Sequence, residues 1–395
     1  MPIWIIENTP LGAPLPLSIQ LAGVIAGLRG KFAAPIGLIA GQSSSPVPAA
    51  ISEVCQKIRL LKRSTFSLAD NLLFSLEALA LLRQEHARQS IDVIHCLYPS
   101  SSLLAALLFK QFCHRRVKII YDVRSPWIEM SLAWGYIPTW LQPGYRLLAH
   151  GAEKCFCRGV DRFMFITPGL AEYYRKQYQL AAGQKSYVSP TGIDLDRFGR
   201  VTSDIRTIYG LTDRDILIGS VGGITRERRP EEILHLFAPV IAQNPRVWLM
   251  LIGGRDLLTG LQSLARQLGI SGRVIFTGNI AHEEMPRYIS AFDFGLAHLV
   301  DIFIHQNNFS LKILEYLACG VPVLASRIQS NVAIARQLAG IAIYDSAEDI
   351  LARLEQPDWQ RLPTNLTDFS WSTLGHNYEQ MYVELLGEGV ALRPA

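Results

Sequence analysis

The sequence predicts an α/β protein built from two Rossmann-like domains in tandem. Three observations lead there. At 395 residues the chain exceeds one ordinary core and suits two domains of roughly 150 to 200 residues each. Apolar runs bounded by turn residues alternate with longer stretches of helical periodicity, which is the pattern of βα units around a parallel sheet. Hydrophobic residues make up 49% and charged residues 18%, a balance that describes a packed globular chain and excludes extended disorder. Two such domains imply a cleft between them.

The elements follow in order. MPIWIIENTP reads as a buried first strand ending at a turn; without a basic leader or a long apolar region, it does not read as a signal peptide. IDVIHCLY and VKIIYDV are buried strands on either side of the helix-like SSLLAALLFKQFCH, and DRFMFIT and SYVSPTGID come next. In the second half the strands are ILIGSVGG, VWLMLIGG, RVIFTGN, FDFGLAHL, PVLAS and IAIY, separated by helical stretches such as PEEILHLFAPVIAQ and LTGLQSLARQLGI. FSWSTLGHNYEQMYVELLGE reads as one amphipathic helix or two. The domain boundary is expected at 197–203. The longest apolar runs, such as SLLAALLF, fall short of the roughly 18 to 20 residues that cross a bilayer.

Charge and cysteine usage narrow the setting. Residues 1–200 hold 22 Lys and Arg against 13 Asp and Glu, whereas the remainder holds 16 against 21. The split suggests an anionic partner for the first domain, a membrane phospholipid surface sooner than nucleic acid, since no nucleic-acid-binding motif accompanies the charge. KIRLLKRS followed by NLLFSLEALALL, together with Trp127, Trp134 and Trp140, suggests a membrane-facing side; the plainer reading of those apolar residues is helix core. Cys55, Cys96, Cys113, Cys155, Cys157 and Cys319 form neither a CxxC pair nor a disulfide framework, as expected for reduced thiols in a cytosol.

Two clusters bear on chemistry. ILIGSVGG runs straight into ITRERRPEEIL, so Gly222 and Gly223 end a strand where the backbone turns before a helix starting near Pro230. Arg226, Arg228 and Arg229 then lie at the carboxyl edge of a parallel sheet, where open α/β folds bind phosphates; a solvated charged loop is the plainer reading. In the second cluster, KILEYLA after Leu311 has helical spacing, with Ser310 or Asn308 as N-cap and Gly320 and Pro322 closing the helix. Lys312 and Glu315, three apart, share a face. Lys312 with the free N–H groups of the helix start makes an anion site, and Glu315, one turn deeper, is able to accept two hydrogen bonds from a vicinal diol such as a ribose. The plainer reading is a surface ion pair.

The order PTGIDLDRF, VGGITRERRPEEIL, LIGG, RVIFTGNIAHEEMPRYISAFDFGLAHL and LKILEYLACGVPVLAS resembles the C-terminal half of glycosyltransferase family 4, the large retaining GT-B family. The first half is compatible through IDVIHCLYPSSS, IIYDVRSPW and EKCFCRGVDRFMFIT. The resemblance implies a GT-B fold, with an acceptor-binding domain at 1–198, a nucleotide-sugar-binding domain at 199–368 and a last helix at 369–395 packing back on the first domain. It implies a nucleoside-diphosphate sugar donor, a hydroxyl acceptor such as a lipid-linked glycan in cell-surface polysaccharide assembly, retention of configuration, and no metal or other cofactor. The implied location is cytoplasmic, peripheral on the inner face of the plasma membrane. In this frame Arg228 and Lys312 neutralise the diphosphate leaving group, where charge develops in the transition state. Glu315 matches the second glutamate of the family's E-x7-E motif, associated with ribose. Gly222, Gly223, Asn308, Phe309, Ser310 and Leu311 would lie along the sugar and phosphates, and Asn279 near the base.

The chain departs from the family pattern in several places. Asn307 stands where the first glutamate of E-x7-E belongs, so contacts to donor-sugar hydroxyls are altered. Gly223 stands where the family has an arginine, which leaves Arg226, Arg228 or Arg229 to compensate. Arg124 replaces the usual histidine of the first domain; it would bind an acceptor phosphate or the donor sugar, and its pKa makes it a poor general base. Gly12, in a loop without the double glycine common there, is a further candidate contact to donor or acceptor. Asp194 and Asp196 mimic a metal-binding DxD but fall in the interdomain segment, and His282, His298 and His305 show no ligand spacing. Two other readings stay open: a non-catalytic GT-B scaffold that binds nucleotide sugars, and a nucleotide-sugar 2-epimerase.

Overall fold

The computed structural model describes residues 2–11, 16–30, 35–42, 46–62, 68–135, 137–254, 257–356 and 365–387. Its contacts divide the chain into two units: Met1–Gly192 with Asp368–Ala395, and Ile193–Thr367. Each unit is a parallel sheet flanked by helices.

Unit one holds seven strands: β1 (Ile3–Pro10), β2 (Ile36–Gly41), β3 (Cys55–Leu61), β4 (Val93–Leu97), β5 (Lys118–Val123), β6 (Arg162–Phe165) and β7 (Lys185–Val188). They lie in the order β3-β2-β1-β4-β5-β6-β7, every pair parallel. Central strands such as β1 and β4 are buried along nearly their whole length, polar residues such as Glu7, Asn8 and His95 included, because helices cover both faces. β3, which holds the first basic residues of KIRLLKRS, is the edge strand. Its charges suit an edge, and its Lys57 and Arg59 each reach the buried Glu85 at 2.8 Å.

The last segment is a single helix, Trp371–Leu386, and it belongs to unit one. Trp371, Leu374, Tyr378, Met381 and Tyr382 complete a core with Ile3, Ile5, Leu21, Val24 and Leu38. The helix lies so close to the Pro16–Gly27 helix that a Cβ on Gly375 would stand 2.1 Å from the Gly27 carbonyl oxygen.

Unit two holds six strands: β8 (Ile216–Val221), β9 (Val247–Ile252), β10 (Val274–Gly278), β11 (Phe294–Ala297), β12 (Val323–Ser326) and β13 (Ile341–Tyr344), in the order β10-β9-β8-β11-β12-β13 and all parallel. Its core gathers Ile218, Leu234, Phe237, Leu249, Leu324 and Ile350. In both sheets the strand order reverses beside the unit's first strand, between β1 and β4 and between β8 and β11. Such a reversal opens a crevice at the carboxyl ends of the strands. Among the described residues no helix is long and apolar enough to cross a membrane, and the six cysteines are unpaired.

Candidate active site

The crevice of unit two is built by three segments. β8 stops at Val221, whose N–H donates to the Tyr316 hydroxyl at 2.9 Å, and that hydroxyl donates in turn to the Leu296 carbonyl at 3.3 Å. Tyr316 therefore fastens the Leu311–Ala318 helix across the end of β8 and onto β11 at the point of reversal. After Val221 the chain turns at Gly222, whose φ of 112° lies in the left-handed region that favours glycine. Across the crevice Gly253 has a φ of 120°, and a Cβ there would stand 2.1 Å from the Gly222 carbonyl oxygen. The two turns interlock only as glycines.

Arg228 ends a short 3-10 turn, Arg226–Arg228, ahead of the Pro230–Gln243 helix. Its Nη1 donates to the Gly223 carbonyl at 3.2 Å. Arg226 is exposed and Arg229 pairs with Glu232 at 3.2 Å, so of the three arginines Arg228 is the one that lines the pocket formed with Gly222, Gly223, Leu251, His298 and Lys312. Lys312 is the second residue of its helix. Burial, and then the charge of Arg228, push its ammonium down to about 7 against the opposing pull of Glu315. Ser310 occupies the N-cap position, but its side chain makes no capping hydrogen bond. Asn308 Oδ1 instead accepts from the Phe309 N–H at 2.8 Å, and Asn307 Nδ2 donates to the Phe303 carbonyl at 2.9 Å. A crowded pair of cations beside a helix start is a site made for a polyanion.

Comparisons with known proteins agree with this geometry. Residues 201–356 match the profile "Glycosyl transferases group 1", and residues 38–197 match "Glycosyltransferase Family 4". The chain belongs to glycosyltransferase family 4. Its similar relatives include a D-inositol 3-phosphate glycosyltransferase of Corynebacterium jeikeium (strain K411), 30% identical over 220 residues that make up 50% of this chain and 51% of the other. An alpha-monoglucosyldiacylglycerol synthase of Streptococcus pneumoniae (strain ATCC BAA-255 / R6) is 30% identical over 212 residues, 50% of this chain and 47% of the other. The chain thus matches about half the length of these relatives. A solved sucrose-phosphate synthase from Thermosynechococcus elongatus superimposes with a TM-score of 0.73 at 19% identity, covering 98% of this chain and 99% of that one, which identifies the fold as GT-B.

In this family 4 chain, Gly222, Gly223, Arg228 and Lys312 come together around one pocket. Glu315 is buried one turn further along, outside the residues that line it. Asn307, Asn308, Phe309, Ser310 and Leu311 form the approach to the helix, and exposed Asn279 stands one residue past β10, two strands away. Gly12 lies outside the described residues. Arg124, expected from sequence to face a donor sugar or an acceptor, is a buried residue of unit one, 2% exposed, with Nη2 2.7 Å from Asp122 Oδ2 and in contact with the Tyr378 hydroxyl. Its partners come from β5 and from the last helix, a convergence that YDVRSPW alone does not reveal.

Two of the histidines that show no ligand spacing in the sequence stand beside these residues. His282 Nδ1 takes a hydrogen bond from Arg197 Nη1 at 2.9 Å; arginine only donates, so a neutral ring carries its proton on Nε2, 3.6 Å from Glu315 Oε1. His298 follows β11, lines the pocket and binds the Tyr344 hydroxyl through Nδ1 at 2.8 Å. Burial pushes it down to about 4 despite Glu232 nearby, so the ring is neutral near pH 7. The only sequence signal was position: each follows closely on a strand's carboxyl end. Asp194, half of the apparent DxD, folds onto its own turn by accepting the N–H groups of Asp196 and Arg197. Among the described residues no cluster of three His, Cys, Asp or Glu could hold a metal.

Proposed function

We propose that this chain transfers a hexosyl group from a nucleoside-diphosphate sugar to a hydroxyl acceptor, with retention of configuration. The observation that carries the reading is the pocket where Arg228 and Lys312 meet at the Gly222 turn, in a chain of family 4. The diphosphate is the leaving group, and its charge grows as the glycosidic bond breaks. Cations held in place before the reaction stabilise that charge more than they stabilise the bound donor, which lowers the barrier. Glu315 takes the ribose hydroxyls, and the 307–311 approach lies along the sugar. Arg228 and Lys312, protonated when the diphosphate is bound, supply the positive charge, so the leaving group needs no metal in this scheme.

The acceptor is a lipid or lipid-linked hydroxyl presented at the cytoplasmic face of a membrane, in polysaccharide or glycolipid assembly. The name of the alpha-monoglucosyldiacylglycerol synthase relative supports a lipid acceptor, as does the excess of cations in residues 1–200.

Release of nucleoside diphosphate from UDP- and GDP-sugars, with water or glycolipid extracts as acceptor, tests the reading. Turnover by the wild type and losses on the order of 100-fold in Lys312→Ala and Glu315→Ala are expected, the scale of one preorganised charged contact. Absence of turnover with every donor, or unchanged turnover in both variants, would overturn it.

A further inference from the structure

His298 lines the pocket of unit two from a stretch of backbone that is fixed on both sides. Ahead of it, the Ala297 carbonyl accepts from buried Asn331 Nδ2 at 3.4 Å. Behind it, the Leu299 N–H donates to Ser326 Oγ at 2.9 Å, and that hydroxyl donates back to the Leu299 carbonyl at 2.8 Å. The ring is held as firmly as the backbone. It lies nearly parallel to the ring of buried Tyr344 on β13, 13° between the planes, with Nδ1 2.8 Å from the Tyr344 hydroxyl. A side chain at a strand end, locked by two neighbouring strands' partners, is placed with the precision that ligand recognition needs.

The bond to Tyr344 decides where the ring's proton sits. Near neutrality the ring carries one proton, because burial holds it uncharged. With that proton on Nδ1, the Tyr344 hydroxyl would accept, and its own proton would be buried with no other acceptor in reach among the described residues. Donation from the hydroxyl to Nδ1 avoids that cost and leaves the ring proton on Nε2. Nε2 is itself buried and has no hydrogen-bond partner among the described residues. Glu232 Oε2 stands 3.8 Å from it, beyond hydrogen-bonding reach, while Oε1 of that carboxylate is taken by Arg229 at 3.2 Å. Arg228 and Lys312, the other charged groups of the pocket, only donate, and nearby His305 directs Nδ1 to the Val300 carbonyl at 2.9 Å. A buried N–H without an acceptor is rare and costly unless a ligand brings the acceptor.

Resting on the proposed function for the identity of the anion, we propose that His298 is a third phosphate ligand of this pocket, its Nε2–H donating to an oxygen of the nucleoside diphosphate that Arg228 and Lys312 hold. The glycine turn offers the diphosphate one guanidinium, since Arg226 is exposed and Arg229 is engaged by Glu232. A third cation would add to the repulsion that already pushes Lys312 down. An uncharged N–H adds a hydrogen bond to a charged acceptor without that penalty. As the bond to the sugar breaks, charge grows on the phosphate oxygens, and a donor already fixed there favours departure. Tyr344 acts through the ring: it touches no substrate and sets which nitrogen carries the proton.

Titration calorimetry of the full chain with UDP and GDP tests the proposal. The wild type is expected to bind at least one of them. His298→Leu should weaken that binding about tenfold or more, and His298→Gln, whose amide returns an N–H at similar reach, should stay within about threefold of wild type. Tyr344→Phe keeps the ring but removes the hydroxyl that orients it; it should cost the wild type about threefold and the His298→Leu variant nothing, a coupling that a purely structural tyrosine would not show. Imidazole nitrogen-15 spectra of the wild type depend on no variant folding: the His298 proton is expected on Nε2, with that resonance moving when the diphosphate is added. A proton on Nδ1, an Nε2 resonance that the diphosphate leaves in place, or His298→Leu binding like wild type while Lys312→Ala does not, would overturn the proposal and leave the proposed function standing. A wild type that binds neither UDP nor GDP would overturn both.

Discussion

Lys312 is the residue whose charge responds most directly to a bound anion. Its neighbours set the sign: Arg228 on the glycine turn opposes protonation, Glu315 one helical turn on favours it, and His298 from β11 adds no charge near neutrality. With the ammonium pushed down to about 7, roughly nine-tenths of it is neutral at about pH 8 before a ligand arrives. A diphosphate against Nζ restores the proton. Binding of a nucleotide sugar, whose diphosphate titrates nothing in this range, should therefore take up close to one proton at about pH 8, and Kd should rise about tenfold per pH unit above 7. Calorimetry in buffers of different ionisation enthalpy measures the uptake, and Lys312→Met should abolish it. Zero uptake in the wild type would mean that the amine does not meet the phosphates. Helical spacing made Lys312 and Glu315 legible, because residues three apart on a helix are neighbours wherever the helix goes. His282 and Arg124 were not legible in the same way: their partners come from distant segments, and only the fold joins them.

At the scale of elements, the last helix shows what composition conceals. Its periodicity was plain from sequence, but its intimacy with the Pro16–Gly27 helix depends on two glycines, because a Cβ on Gly375 meets backbone. Backbone cannot swing aside as a side chain does. Gly375→Ala should lever the two helices apart and cost about 1 to 3 kcal/mol, the usual penalty of overpacking. Thermal denaturation of the variant would show the loss, with nucleotide affinity unchanged because unit two holds the pocket. An unaltered melting temperature would show that the helices slide without cost. β3 marks the limit of the period rule: an edge strand bears charges, here Lys57 and Arg59 paired with the buried Glu85 of the following helix, and KIRLLKRS therefore reads as a basic membrane-facing segment and not as a strand.

For the whole molecule, the α/β class and the tandem Rossmann-like units are legible because parallel strands buried on both faces leave apolar runs that no exposed helix imitates, whereas the GT-B architecture is legible only through the resemblance to family 4. Strand order was not, since it is fixed by crossovers between runs that look alike. That order matters most where it reverses. In unit two the reversal holds the pocket, and in unit one the corresponding carboxyl edge holds Glu7, Asp122 and Arg124, all buried. Burial pushes the Glu7 carboxyl up to about 8, although Thr9 and the charge of Arg124 pull it down; Asp122 adds to the rise. The folded protein thus binds this proton more tightly than the unfolded chain does. Its contribution to stability is fully present below the ordinary value of 4.5 and is lost as pH rises through about 8. Lys312 acts in the opposite sense and in a higher window. The folded protein holds its proton less tightly between about 7 and the ordinary 10.5, so stability there grows with pH. Urea denaturation followed by hydrogen exchange on peptides from β1 and β4 should show unit one weakening from about pH 5 to pH 9, and Glu7→Gln should flatten that decline. Peptides from β8 and β9 should not share the decline. A wild-type profile that stays level on β1 and β4 would mean that Glu7 keeps its charge in the fold.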